Sequence, residues 1–179
     1  INSGGSSWEQ LGESIYGDKA EDWFGNSVDI SPDGNSLAIG TSVYGGGPGY
    51  VKVFSLENGD GDDDDLGASS WKQIGLTITG EANGDLFGVP VSLSDDAKTL
   101  AVGAQYANDF DSGHVRVYRT DDSESGWTKI GEDIDGEAIA DNSGWSVSLS
   151  GDGKTVAIGS VENDDNGDAS GHVRVFVAE

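Results

Sequence analysis

The chain reads as all-β, built from three four-stranded antiparallel repeats. Three observations predict this. One unit recurs three times along 179 residues; each copy holds four short runs rich in Val, Ile and aromatics, bounded by Gly, Asp and Ser; and no stretch of useful length has helical periodicity.

The units open on Trp8-Glu9-Gln10-Leu11-Gly12, Trp71-Lys72-Gln73-Ile74-Gly75 and Trp127-Thr128-Lys129-Ile130-Gly131. Ile15, Ile78 and Ile134 follow in register, then Gly17, Gly80 and Gly136, each followed by an acid at Asp18, Glu81 or Glu137. The second run begins after Phe24-Gly25, Phe87-Gly88 and, as a departure, Ser143-Gly144, and reads Val28-Asp29-Ile30, Val91-Ser92-Leu93 and Val147-Ser148-Leu149. Pro32-Asp33-Gly34-Asn35, Asp95-Asp96-Ala97-Lys98 and Gly151-Asp152-Gly153-Lys154 are hairpin turns, because Gly and Asp tolerate positive φ; Ala97 is the weakest residue in this role. The third run is Leu37-Ala38-Ile39-Gly40, Leu100-Ala101-Val102-Gly103 and Val156-Ala157-Ile158-Gly159. Its small alanines suit sheets packed face to face. The fourth run is Tyr50-Val51-Lys52-Val53-Phe54, His114-Val115-Arg116-Val117-Tyr118 and His172-Val173-Arg174-Val175-Phe176. This divides a single repeat domain, residues 1–179, into repeat 1 (8–54), an acidic linker (55–70), repeat 2 (71–118), a linker (119–126) and repeat 3 (127–176).

The order Phe-Gly-x-Ser-Val, a polar turn with Asp-Gly, Leu-Ala-Ile-Gly, then Gly-x-Val-x-Val-Phe resembles the FG-GAP repeat of integrin-type β-propellers, over residues 8 to 176. The resemblance implies one four-stranded blade per repeat. It says little about function, since propellers host both enzymes and binding proteins. The family's calcium loop resembles Asp-x-Asp-x-Asp-Gly-x-x-Asp, and here its last carboxylate is replaced by Leu37, Leu100 or Val156. Only Asp29, Ser31 and Asp33 remain as a residual ligand set.

Propellers close with about four to eight blades, and this chain supplies three. The Trp8 to Ile15 strand is the outermost of a blade in the family, and nothing like it follows Val173–Phe176. If that strand completes the last blade within one molecule, a closed threefold, β-trefoil-like body results; if between molecules, strand addition builds a larger ring or filament. Bare sheet edges are a liability, which favours self-association or a larger protein assembly.

Nine basic residues stand against thirty-three acidic ones, giving a net charge of −24 and a pI of about 4.1. That sign excludes a nucleic-acid binder and attachment to an anionic membrane face. No apolar run approaches the roughly 18 residues of a membrane span. Without cysteine there is no disulfide framework or thiol chemistry. The chain opens on Ile1 and contains no methionine, which points to a chain that has been processed or cut from a longer one, and the acidity fits an extracellular setting or an organelle lumen.

Calcium is the candidate cation, because acidic loops containing Gly and Asn offer hard oxygen ligands. The candidate ligands are Asp60, Asp62, Asp63, Asp64 and Asp65, then Asp109 and Asp111, then Asp164, Asp165 and Asp168. Loops after the third runs are expected to share an end of the molecule with the Gly-acid loops. Trp71, Trp127 and Trp8 read as packing anchors, whereas Trp23 and Trp145 flank the Phe-Gly position and are the candidate ligand-binding aromatics for carbohydrate. Lys52, Arg116 and Arg174 are expected to stack on an aromatic or pair with a carboxylate. His114 and His172 are repeat-equivalent, but Tyr50 breaks the set. No Gly-x-Ser-x-Gly elbow occurs, and no catalytic residue is nominated. The expectation is a non-enzymatic structural or adhesive protein assembling through sheet edges and blade faces; the alternative is a calcium-assisted carbohydrate- or protein-binding module.

Overall fold

The computed structural model describes residues 7–43, 46–57, 69–107, 112–121 and 126–178. Among them are twelve strands and no helix: β1 (Ser27–Ile30), β2 (Ser36–Gly40), β3 (Tyr50–Glu57), β4 (Ser70–Gln73), β5 (Ile78–Thr79), β6 (Val91–Leu93), β7 (Thr99–Ala104), β8 (His114–Thr120), β9 (Trp127–Asp135), β10 (Ser143–Leu149), β11 (Thr155–Ser160) and β12 (His172–Val177). They form three antiparallel sheets. Blade 1 runs β1-β2-β3-β4 with β5 also on β3, blade 2 runs β6-β7-β8-β9, and blade 3 runs β10-β11-β12.

The hairpin turns form where the Asp and Gly positions place them, and each is closed by a serine. Ser31 Oγ donates to Asp33 at 2.6 Å and accepts the Ser36 N–H at 2.9 Å. Ser94 with Asp96 and Thr99, and Ser150 with Asp152 and Thr155, repeat the arrangement. The turn residues Gly34, Ala97 and Gly153 all sit at positive φ, so Ala97 carries the strain that its neighbours in register avoid.

Two core clusters lie between blades. The first joins Val51, Val53 and Ile78 of blade 1 to Phe87, Leu93, Leu100 and Tyr118 of blade 2, with Ile74 and Trp127 packed on it. The second joins Ala101, Val115, Val117 and Ile134 of blade 2 to Val147, Leu149, Val156, Ile158 and Phe176 of blade 3. Strand alternation explains this: successive side chains point to opposite faces, so each blade has one face toward the blade before it and one toward the blade after it. Gly40 allows blades 1 and 2 to approach, since a Cβ there would overlap the Gly88 carbonyl oxygen.

The blades are offset from the sequence units: β4 and β9, the Trp-bearing first runs of repeats 2 and 3, pair with β3 and β8 at the end of the preceding unit. Two expectations are corrected. Among the described residues no sheet closes into a barrel, which removes the trefoil-like body. The expected Trp8–Ile15 strand is absent, because residues 7–16 pair with no sheet edge among the described residues.

Candidate interaction site

The basic residues of the fourth runs pair with the acid that follows the glycine closing the first run of each repeat. Lys52 Nζ lies 2.6 Å from Asp18, Arg116 Nη2 2.8 Å from Glu81, and Arg174 Nη1 3.7 Å from Glu137. Arg116 also grips Asp133 of β9 through two hydrogen bonds at 2.9 and 2.6 Å, and Lys129 adds a contact at 2.7 Å. The Arg116 guanidinium holds the Asp133 carboxyl well below the usual carboxylate range, and Asp133 pushes Arg116 up. Lys52 and Arg174 also lie over the rings of Tyr50 and Phe176. Pairing with a carboxylate is thus present for all three, and Arg174 over Phe176 is the expected stacking, whereas Lys52 lies over Tyr50 and not Phe54.

Sequence reasoning missed a second repeated device. Five residues after each of Gly17, Gly80 and Gly136 an aspartate caps its own loop: Asp22 accepts the Lys19 N–H, Asp85 the Ala82 N–H and Asp141 the Ala138 N–H at 3.0–3.1 Å. The even spacing from the glycine was the available signal. In blade 1 the Tyr50 hydroxyl donates to buried Asp22 at 2.7 Å, and burial with that carboxylate pushes the phenol up to about 12. In blade 2 the shorter His114 takes the place of Tyr50. It is 3% exposed, neither ring nitrogen has a hydrogen-bond partner among the described residues, and burial followed by the Arg116 charge pushes its pKa down.

Of the candidate cation ligands, Asp60, Asp62, Asp63, Asp64, Asp65, Asp109 and Asp111 lie outside the described residues. Asp164, Asp165 and Asp168 sit exposed on the loop between β11 and β12, which is held by buried Asn163: its Nδ2 donates to Asp141 at 3.2 Å and its Oδ1 accepts the Asp165 N–H at 3.1 Å. Asp164 Oδ1 accepts the Ala169 N–H at 2.8 Å. This loop meets the Gly-acid loop at one end of blade 3, where the Glu162 N–H donates to the Asp141 carbonyl at 3.4 Å. There Glu137, Asp165 and His172 bring ligand atoms within 4.8 Å of one another. His114, Asp133 and Asp135 do the same in blade 2, but Asp133 is already committed to two cations. The residual set at the first turn is used internally: Asp33 is bonded by Ser31 and Asn35, and Asp29 Oδ2 accepts the Leu93 N–H of blade 2 at 2.6 Å.

Trp23 (59% exposed) precedes β1 of blade 1, and Trp145 (47% exposed) lies on β10 of blade 3. The larger exposed apolar features are the two end faces. On blade 1, Val28 and Ile30 are 60% and 53% exposed, although their equivalents Val91 and Leu93 are buried between blades 1 and 2. On blade 3, Val173 and Val175 are 68% and 65% exposed, although their equivalents Val115 and Val117 pack on blade 3. Beside β12 a cleft of about 460 Å³ is lined by Ile130, Gly131, Leu149, Val156 and Phe176 among others.

Residues 134–176 match the FG-GAP repeat. No curated protein sequence matches the chain. Among solved structures it is similar to a proposed 6-phosphogluconolactonase from Bacteroides fragilis NCTC 9343, at 15% identity and a TM-score of 0.52 over 85% of this chain and 34% of that one. It is also similar to a proposed 6-phosphogluconolactonase from Bacteroides uniformis ATCC 8492, at 17% identity and a TM-score of 0.45 over 85% of this chain and 40% of that one. The chain therefore spans well under half the length of these proteins. The likeness to the first of them concerns the fold alone. Residues 134–176 of the third unit thus match an FG-GAP repeat, the two units before it carry the same motif positions, and the three antiparallel sheets are consistent with β-propeller-like blades.

Proposed function

We propose that this chain is a non-enzymatic structural or adhesive module, working outside the cell or in an organelle lumen, that assembles through its blade faces and sheet edges with copies of itself or a larger complex. One observation carries the reading: Val28 and Ile30 at one end of the blade stack and Val173, Val175 and Val177 at the other are exposed, at positions whose internal equivalents are mostly buried between blades. Apolar surface of that kind marks an interaction face.

Light scattering over a range of concentrations tests it, with Val173→Lys/Val175→Lys as the comparison. The expected result is a mass above one chain that falls to one chain in the variant. A wild-type mass that the variant leaves unchanged would overturn the assignment of this face. No hydrolysis of 6-phosphogluconolactone above the spontaneous rate is expected, and turnover would overturn the non-enzymatic reading.

A second reading, calcium-assisted binding of carbohydrate, is favoured by the position of half-exposed Trp145 directly after the loop that carries Glu137, whose carboxylate lies within ligand distance of Asp165 and His172. Calorimetry with calcium and a glycan panel tests it. Heat lost in Glu137→Gln and in Trp145→Ala supports this reading; no heat with the wild-type chain sinks it.

A further inference from the structure

Blade 3 departs from the other two around the start of β12. Ser160 stands where blade 1 has Thr41 and blade 2 has Ala104, and it pairs in register with His172. Side chains at directly paired positions of an antiparallel sheet share a face, with Cβ atoms about 4.5–5.5 Å apart. Ser160 is wholly buried, yet its hydroxyl has no hydrogen-bond partner among the described residues, and neither has His172 Nε2. Two groups able to bond each other thus sit side by side without doing so. Buried polar groups left unmatched cost stability unless a ligand completes them.

The imidazole also faces carboxylates. His172 Nδ1 lies 3.8 Å from Glu137 Oε2, too far for a hydrogen bond, and His172, Glu137 and Asp165 hold ligand atoms within 4.8 Å of one another. Asp165 is set in place by buried Asn163, whose Oδ1 accepts its N–H at 3.1 Å. Arg174 stays 3.7 Å from Glu137 Oε1 and directs Nη2 to the Asp135 carbonyl and to Ser143 Oγ, whereas in blade 2 Arg116 closes on Glu81 at 2.8 Å. The blade 3 acid is therefore the less neutralised of the two. In blade 1 the position of His172 is taken by Tyr50, which bonds Asp22 and offers no imidazole.

We propose that His172 Nδ1 and one oxygen each of Glu137 and Asp165 bind a divalent transition ion of the zinc type, with a coordination position left open. Imidazole decides the class: calcium takes oxygen ligands, whereas zinc takes nitrogen and oxygen together at about 2.0–2.2 Å. Ligation through Nδ1 places the proton on Nε2, which then donates to Ser160 Oγ, so the ion joins the two unmatched groups. Ser160 is a positioning residue. The site lies at the opposite end of the strands from the Asp152 turn. It does not rest on the assembly reading, and it competes with calcium of the second reading for the same carboxylates.

Isothermal titration calorimetry of the whole chain with zinc chloride, and separately with calcium chloride, tests it. One zinc per chain is expected. Ser160→Ala, which copies Ala104, is expected to weaken zinc binding about tenfold to a hundredfold, and Ser160→Thr, which copies Thr41 and keeps the hydroxyl, to restore it. His172→Ala and Glu137→Gln, the latter an exposed and nearly isosteric change, are expected to weaken it more than Ser160→Ala does, and His114→Tyr to leave it unchanged. Absence of zinc heat, zinc heat that survives both His172→Ala and Glu137→Gln, or loss in His114→Tyr instead would overturn the site. Calcium heat without zinc heat would overturn it too, and would return the carboxylates to the second reading. Equal affinity in Ser160→Ala and the wild type, or a loss that Ser160→Thr does not restore, would overturn the role of Ser160. The mass from light scattering enters none of these outcomes, so failure here is distinct from failure of the assembly reading.

Discussion

The Trp71 indole nitrogen reaches across sixty residues to the Leu11 carbonyl at 3.1 Å, fastening the N-terminal segment to the outside of blade 1. Trp71 and Trp8 occupy the same position of successive repeats, yet one is partly buried and the other fully exposed. The difference lies in the sheet edge available to each. β4 lies against β3, whereas residues 7–16 pair with no edge among the described residues.

Two glycine substitutions separate steric overlap from backbone strain. Gly40→Ala forces a methyl into the Gly88 carbonyl, so it is expected to destabilise the fold by about 3 kcal/mol. Gly131 has open space but a φ of +70°, so Gly131→Ala is expected to cost about 1 kcal/mol. Urea denaturation of both variants checks the contrast.

The Arg116–Asp133 pair predicts the acid limb of stability. Asp133 has a depressed carboxyl pKa in the fold, so its contribution is complete above the ordinary value of 3.8 and is lost as pH falls below that toward the folded value. Asp133→Asn is expected to lose about 2 kcal/mol at pH 7 and to show a shallower decline below about pH 4 than the wild type. Equal declines in urea midpoint would count against the pair as its source.

His114 predicts a second slope. Its folded pKa lies below 6.5 through burial and Arg116, against the opposing pull of Asp133, Asp135 and Asp85. As pH falls below 6.5 the unfolded chain takes up a proton that the fold resists, so stability drops from there down to the folded pKa. His114→Tyr copies Tyr50, whose hydroxyl reaches Asp22, and is expected to flatten this slope and add about 1 kcal/mol through a bond to Asp85. Denaturation midpoints at about pH 7.5 and 5.5, either side of the ordinary histidine value, measure both effects.

Most of the architecture is legible in local pattern. Period-two alternation in Tyr50–Phe54, His114–Tyr118 and His172–Phe176 identifies strands, Asp-Gly turns identify hairpins, and threefold recurrence identifies stacked sheets. The Lys52, Arg116 and Arg174 pairs follow from their fixed place beside an aromatic in each repeat. The Asp22, Asp85 and Asp141 caps are written in the same spacing but look like any other acid among thirty-three.

What the sequence by itself determined is therefore the repeat, its strands and its turns, because these depend on neighbours a few residues away. The resemblance already made the Trp run an outer strand after a fourth run; tertiary structure decided which of these runs reach a sheet edge, β4 and β9 doing so and residues 7–16 pairing with none among the described residues. Backbone hydrogen bonds between strands are blind to side-chain identity, so Trp-Lys-Gln-Ile can close the unit before it as readily as the unit it opens, and packing in the cores between blades selects the former. The same selection leaves Trp8 exposed and a cleft beside β12.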